Sequence, residues 1–122
     1  MRVLLGIGGS EDSVRALERT LHRAREAGDE LTIAVLENPE SERPPPAVID
    51  LVRDRLAAMD LTAEVRRLTG EPGPALVELA ERGSYDEVVL GGGDRSPMGK
   101  LTVGSIAEFV LLNGEITVTL VR

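Results

Sequence analysis

Apolar positions along the chain follow two alternating rhythms, short continuous runs and longer stretches with a period of three to four. "RVLLGI" (2–7) is an unbroken apolar run closed by Gly8 and Gly9, which predicts a strand buried on both faces. Val14, Leu17, Leu21 and Ala24 then recur at helical spacing. Ser10 stands where a helix N-cap belongs, Glu11 and Asp12 suit the positive end of the helix, and Gly28 marks its C-cap. "ELTIAVLE" (30–37) predicts a second strand, and the polar, proline-rich "NPESERPPP" (38–46) a loop. Val48, Val52, Leu56 and Met59 mark a second helix. "LTAEVRRL" (61–68) alternates, and its β-branched Thr62 and Val65 suit a third strand. Pro72 and Pro74 open a third helix carrying Leu76, Leu79 and Ala80, which Gly83 stops. "DEVVLG" (86–91) is a fourth, buried strand. Ile106, Phe109 and Val110 lie on a fourth helix ended by Asn113 and Gly114, and "EITVTLVR" (115–122) is the last strand.

The order βαβαβαβαβ, without internal repeat or linker, predicts one α/β domain over 1–122: a doubly wound, five-stranded parallel sheet flanked by four helices. Such sheets bind ligands beyond the carboxyl ends of their strands, where the strand order reverses. Two glycine-rich turns fall at such ends, Gly8–Gly9 after the first strand and Gly91–Gly92–Gly93 after the fourth. They face one crevice if the first and fourth strands are neighbours.

Composition narrows the chemistry. The chain of 122 residues has no cysteine and one histidine, which excludes disulfides and thiolate metal sites and argues against zinc. No apolar run approaches the ~18 residues of a membrane span, and the start does not read as a signal peptide, so a cytoplasmic protein without a membrane partner is expected. Acidic residues outnumber basic ones 21 to 14, for a net charge of −7, and Lys100 is the single lysine. An acidic surface disfavours nucleic acid as a partner. It suits a high-salt, halophile-type cytoplasm, where ions screen self-repulsion; a genome that favours arginine codons is the alternative source of the lysine deficit.

The densest candidate for ligand chemistry is "LGGGDRSPMGKLTVGS" (90–105). It is not a phosphate loop of the G-x-x-x-x-G-K-[ST] type. Counting from Gly99–Lys100 puts Asp94 where the first glycine belongs and Leu101 where the hydroxyl belongs. What remains is a glycine turn leaving a buried strand, and Gly104–Ser105 opening a helix whose free amides and hydroxyl can meet an anion. An unliganded strand end and N-cap is the plain alternative. Lys100 and Arg95 are candidate phosphate contacts or solvated loop charges. The first turn, "GIGGSEDS" (6–13), misses the dinucleotide fingerprint because Glu11 stands in place of its third glycine, and a tight strand-to-helix turn accounts for it. His22 is placed to face solvent. Asp12 and Ser13 lack the partners of a nucleophilic pair.

Over its whole length the chain resembles the universal stress protein family, in the opening strand leading into "GGSEDS", in the strand and helix order, and above all in "GGGDRSPMGKLTVGSIAEFVLLN" (91–113). Its acidity is similar to that of haloarchaeal-type members. Nucleotide-binding members carry G-x-x-G, nine residues, then G-[ST]. Gly91, Gly104 and Ser105 match that motif, while Asp94 stands at the second glycine.

The resemblance implies a Rossmann-like strand order 3-2-1-4-5 and an adenine nucleotide, ATP first, with Mg²⁺ as companion. Adenine would lie by Ile7, Gly8, Val35 and Leu90. The phosphates would lie over Gly91, Gly92 and Gly93, with Arg95, and against Gly104, Ser105 and Ile106. Gly8 replaces an aspartate that contacts the nucleoside in the family's binders. Mg²⁺ near Asp94 would turn that carboxylate into a ligand of the metal. The resemblance also implies a homodimer through the last strand. Two other functions stay open: a dimeric interaction protein that has lost the nucleotide, and a slow ATP-hydrolysing or phosphate-transferring enzyme using Ser105 or Thr102, for which no general base is evident.

Overall fold

The computed structural model describes residues 1–39, 41–92, 94–95, 101–102 and 104–122, with the backbone alone at 94–95 and 101–102. The elements are β1 (Arg2–Ile7), α1 (Glu11–Ala27), β2 (Glu30–Val35), α2 (Pro45–Ala58), β3 (Glu64–Arg67), α3 (Pro72–Arg82), β4 (Glu87–Gly91), β5 (Asp94–Arg95), β6 (Leu101–Thr102), α4 (Ser105–Asn113) and β7 (Thr117–Val121). The main sheet runs β3-β2-β1-β4-β7 with every neighbouring pair parallel, which is the expected doubly wound order.

Alternation along the strands divides the core into two layers. Val3, Leu5 and Ile7 of β1 and Leu31, Ile33 and Val35 of β2 join Ala16, Leu17 and Leu21 of α1 and Val48, Val52 and Leu56 of α2. Leu4, Ala34, Leu36, Val88 and Leu90 pack on the opposite face with Leu76 and Ala80 of α3 and Ala107 and Val110 of α4. Continuous apolar runs are what a strand covered on both faces requires. Among the described residues no helix is long and apolar enough to cross a membrane.

Three local readings differ from the structure. The third strand is only the four residues Glu64–Arg67, because it lies at the edge of the sheet with β2 as its one partner and three of its four residues exposed. Leu61 and Ala63 still pack on the core, but as coil. The stretch after β4, read as a loop, contains the antiparallel pair β5–β6, with Asp94 opposite Thr102 and Arg95 opposite Leu101. Two-residue strands are too short to leave a periodic signal. Ser10 occupies the N-cap of α1 without a side-chain cap bond. Its hydroxyl instead donates to Asp12 Oδ1 at 2.5 Å, and the turn is closed by Ser13, whose Oγ accepts from the Gly9 amide at 3.1 Å and donates to the Ser10 carbonyl at 2.8 Å. At the other end Gly28 is left-handed (φ 70°) and its amide reaches Ala24 O, as a C-cap does.

Candidate functional site

β1 lies between β2 and β4, so the chain leaves its two sides by connections that diverge, and a cleft opens above the carboxyl ends of the strands. It measures about 350 Å³, within the range of small-molecule sites.

Its floor is apolar. Gly6, Leu36 and Leu90 line it. The position a Cβ would take on Gly6 is 2.8 Å from both Leu76 Cδ2 and Leu90 Cδ2 and 3.4 Å from Leu36 Cδ1, so leucine side chains close over that glycine. Ile106 and Ala107 of α4 form the side wall. A flat, weakly polar ring matches such a floor.

The rim is polar and is built from two helix starts. At α1 it carries Ser10, Asp12 and Ser13; at α4 it carries Gly104 and Ser105. The two starts differ. Asp12 brings a carboxylate into the cleft, held by Ser10 and seated on the end of β4: a Cβ on Gly91 would lie 2.6 Å from Asp12 Oδ2, 2.7 Å from Asp12 C and 2.8 Å from Ser13 N. The α4 start, which like α1 has no side-chain cap bond, lines the cleft with Gly104, Ser105, Ile106 and Ala107, none of them charged. The first amides of a helix have no partner within it, so they are available to an acceptor from outside. Gly104 has φ −64°, is exposed, and among the described residues would meet nothing within 4 Å if it carried a Cβ. Neither the backbone conformation nor packing among the described residues asks for glycine there. Of the described residues lining the cleft, none is basic.

Of the residues expected at the site, the structure brings together Gly8, Leu90, Gly91, Gly104, Ser105 and Ile106. Ile7 and Val35 are placed elsewhere. Both side chains are fully buried in the α1/α2 layer, the opposite face of the sheet, and Leu36, the residue just past the end of β2, is the one at the floor. A one-residue offset in a strand exchanges the faces. Gly92 turns to β7, its amide donating to Val121 O at 2.7 Å, and its Cβ position lies 2.7 Å from Arg122 Cγ. Arg95 is described only as backbone in β5, and Gly93 and Lys100 lie outside the described residues, as do the side chains of Asp94 and Thr102. His22 is exposed.

Gly6, Leu36, Asn38, Ala107 and the carboxylate of Asp12 were not expected at the site. Asn38 has a traceable cause: it fills the space a side chain on residue 8 would need. The Gly8 Cβ position is 3.0 Å from Asn38 Cβ and 3.1 Å from its Nδ2.

The sheet and cleft together define a Rossmann-like α/β protein with an open cleft at its strand-order reversal. The chain belongs to the universal stress protein family, whose model matches residues 1–122. It is 32% identical to a universal stress protein solved in complex with cAMP, with a TM-score of 0.77 over 100% of this chain and 96% of that one. At 17% identity, an Arabidopsis thaliana member of the family solved with AMP bound (TM-score 0.72, covering 99% of this chain and 90% of that chain) shares the fold. So does a universal stress protein from Archaeoglobus fulgidus in complex with dAMP, also at 17% identity (TM-score 0.70, covering 100% and 98%). No curated protein sequence matches the chain.

Proposed function

We propose that this protein binds an adenine nucleotide in the β1/β4 cleft and works as a nucleotide-dependent regulatory or protective homodimer. The observation that carries the proposal is Gly104: a glycine that none of the described residues crowds, lining the cleft at a helix start without a side-chain cap bond. Its value is to a ligand, whose phosphate can approach the backbone amides without meeting a side chain. The apolar floor of Gly6, Leu36 and Leu90 accepts the base. Relatives solved with cAMP, AMP and dAMP support an adenine nucleotide. ATP is the proposed physiological form. Mg²⁺ would arrive with its phosphates, which is the usual way that ion is held, by one or two carboxylates and the nucleotide.

The homodimer is proposed through β7, which forms one edge of the sheet and offers its outer backbone groups to a second strand. The net charge of −7 fits a proposal that the protein works in high salt, where screening relieves self-repulsion.

Thermal unfolding tests the nucleotide reading. A ligand that binds only the folded state adds ~2.7 kcal/mol at a hundredfold excess over Kd, a rise of several degrees in a domain of this size. ATP with Mg²⁺, and AMP without it, are expected to raise the Tm in both low and high salt. Gly104→Val places a branched side chain over the α4 amides, with its Cβ clear of every described residue. It is expected to cost ~1 kcal/mol as a poorer N-cap and to remove the ligand shift. A full shift retained by Gly104→Val, or no shift in the unaltered protein, would reject the reading. The second outcome favours an interaction protein, in which Asn38 has taken the space of a lost nucleoside contact at residue 8.

A further inference from the structure

We propose that Asp12 is the specificity-determining residue for the sugar, selecting ribonucleotides over their deoxy counterparts and setting the direction in which the ligand lies; this rests on the nucleotide reading above. The carboxylate lines the same cleft as Gly6, Leu90 and Gly104 and stands beside Gly91, the residue that follows Leu90 of the floor. A ligand with its base on that floor and its phosphate at the α4 amides passes its sugar beside Asp12.

The carboxylate is fixed as well as present. Ser10 Oγ donates to Oδ1 at 2.5 Å, and the other oxygen rests against the end of β4 at the one place where residue 91 has no side chain. Gly91 is therefore glycine for two reasons, its proximity to a ligand and the room it makes for Asp12. The first turn of α1 is a favourable place for a negative charge.

The chemistry follows from the group. An ionised carboxylate accepts hydrogen bonds and donates none, and its two oxygens carry about four acceptor sites in all. The 2′- and 3′-hydroxyls of ribose are donors and fit it. Phosphate oxygens are anionic acceptors, so the same carboxylate turns them away from α1 and toward α4. Gly8 provides no such group, and Asp12 supplies it from the following turn.

The test compares AMP, 2′-deoxy-AMP and 3′-deoxy-AMP by calorimetric titration in magnesium-free buffer, so that no metal bridges carboxylate and phosphate. Hydrogen bonds to a charged group correspond to about tenfold or more in affinity. The unaltered protein is expected to bind AMP about tenfold more tightly than at least one of the deoxy forms. In Asp12→Ala the ratio is expected to fall to about one, with the deoxy forms binding as well as before or better because a nearby negative charge is gone. Asp12→Asn keeps one acceptor oxygen and should fall between. Ser10→Ala removes one hydrogen bond from the carboxylate but keeps the group, and should lower the ratio in part.

Equal affinities for all three ligands in the unaltered protein, or an unchanged ratio in Asp12→Ala, overturn the assignment while leaving nucleotide binding standing. Failure of all three to bind overturns both readings.

Discussion

Gly91→Val is expected to destabilise the protein by about 3 kcal/mol and to abolish nucleotide-dependent stabilisation together. The contacts that a side chain would meet are not loose ends. Two of the three are backbone atoms at the start of α1, Asp12 C at 2.7 Å and Ser13 N at 2.8 Å, and the third is Asp12 Oδ2 at 2.6 Å. Relief requires α1 to lift from β4 or β4 to leave the sheet. Overpacking of a core costs ~1–3 kcal/mol, and the upper end applies where backbone must move. The midpoint of denaturant unfolding should fall while its slope stays constant, which marks lost stability rather than a changed denatured state. The same displacement moves Asp12 and parts the cleft from its rim. A cost below about 1 kcal/mol, or a normal ligand shift, would show that α1 is not seated on Gly91 as described.

The second large effect is expected at Gly9→Ala. Gly9 has φ 93°, a conformation that costs a residue with a Cβ about 1–3 kcal/mol. Its Cβ would also lie 2.7 Å from Ser41 Oγ, 2.9 Å from Val48 Cγ2 and 3.1 Å from Arg43 Cβ. The segment after β2 folds tightly over this turn, with Arg43 donating to the Gly9 carbonyl at 2.7 Å and the Ser41 amide bonding to Asn38 O at 3.1 Å. Strain and crowding together should cost roughly 3–4 kcal/mol, a fall in Tm on the order of 10–15 °C. Combining Gly9→Ala with Ser41→Ala separates the two parts. Removal of Oγ relieves crowding and leaves strain, so the double variant should lose less than the sum of the singles. Strict additivity would mean that Ser41 does not press on residue 9.

Most of the sheet is readable from the chain because burial on both faces leaves a direct mark. "RVLLGI", "ELTIAV" and "EVVLG" are runs that only covered strands tolerate, and they became β1, β2 and β4. Gly28, Gly83 and Gly114 end the helices they were expected to end. The site is less readable, for two physical reasons. Face assignment in a strand depends on parity, so an expectation centred on Val35 points into the wrong layer while Leu36 lines the floor. The other reason is sequence distance. Asp12 looks like an ordinary acidic residue in the first turn of a helix, and Asn38 like the start of a polar loop. Nothing local shows that one will lie on Gly91 and the other on Gly8. Gly104 is the reverse case: its place before a helix is plain in the sequence, but that a Cβ on it would meet none of the described residues within 4 Å is not.

The central position of β1 also governs how the molecule comes together. The first strand to emerge pairs on one side with β2, Val3 opposite Leu31, through a connection that α1 can close early. On its other side it must wait for β4, with Val3 opposite Glu87 and the Arg2 amide bonded to Asp86 across 84 positions of chain. Contacts of such separation are entropically late and slow to form. A growing chain thus holds β1 with one long edge open until β4, Glu87–Gly91, has been made. The cleft, whose two walls belong to opposite ends of that interval, is among the last parts of the protein to exist. Ligand added during refolding should therefore slow unfolding far more than it speeds folding, because the place it binds is absent from the early steps.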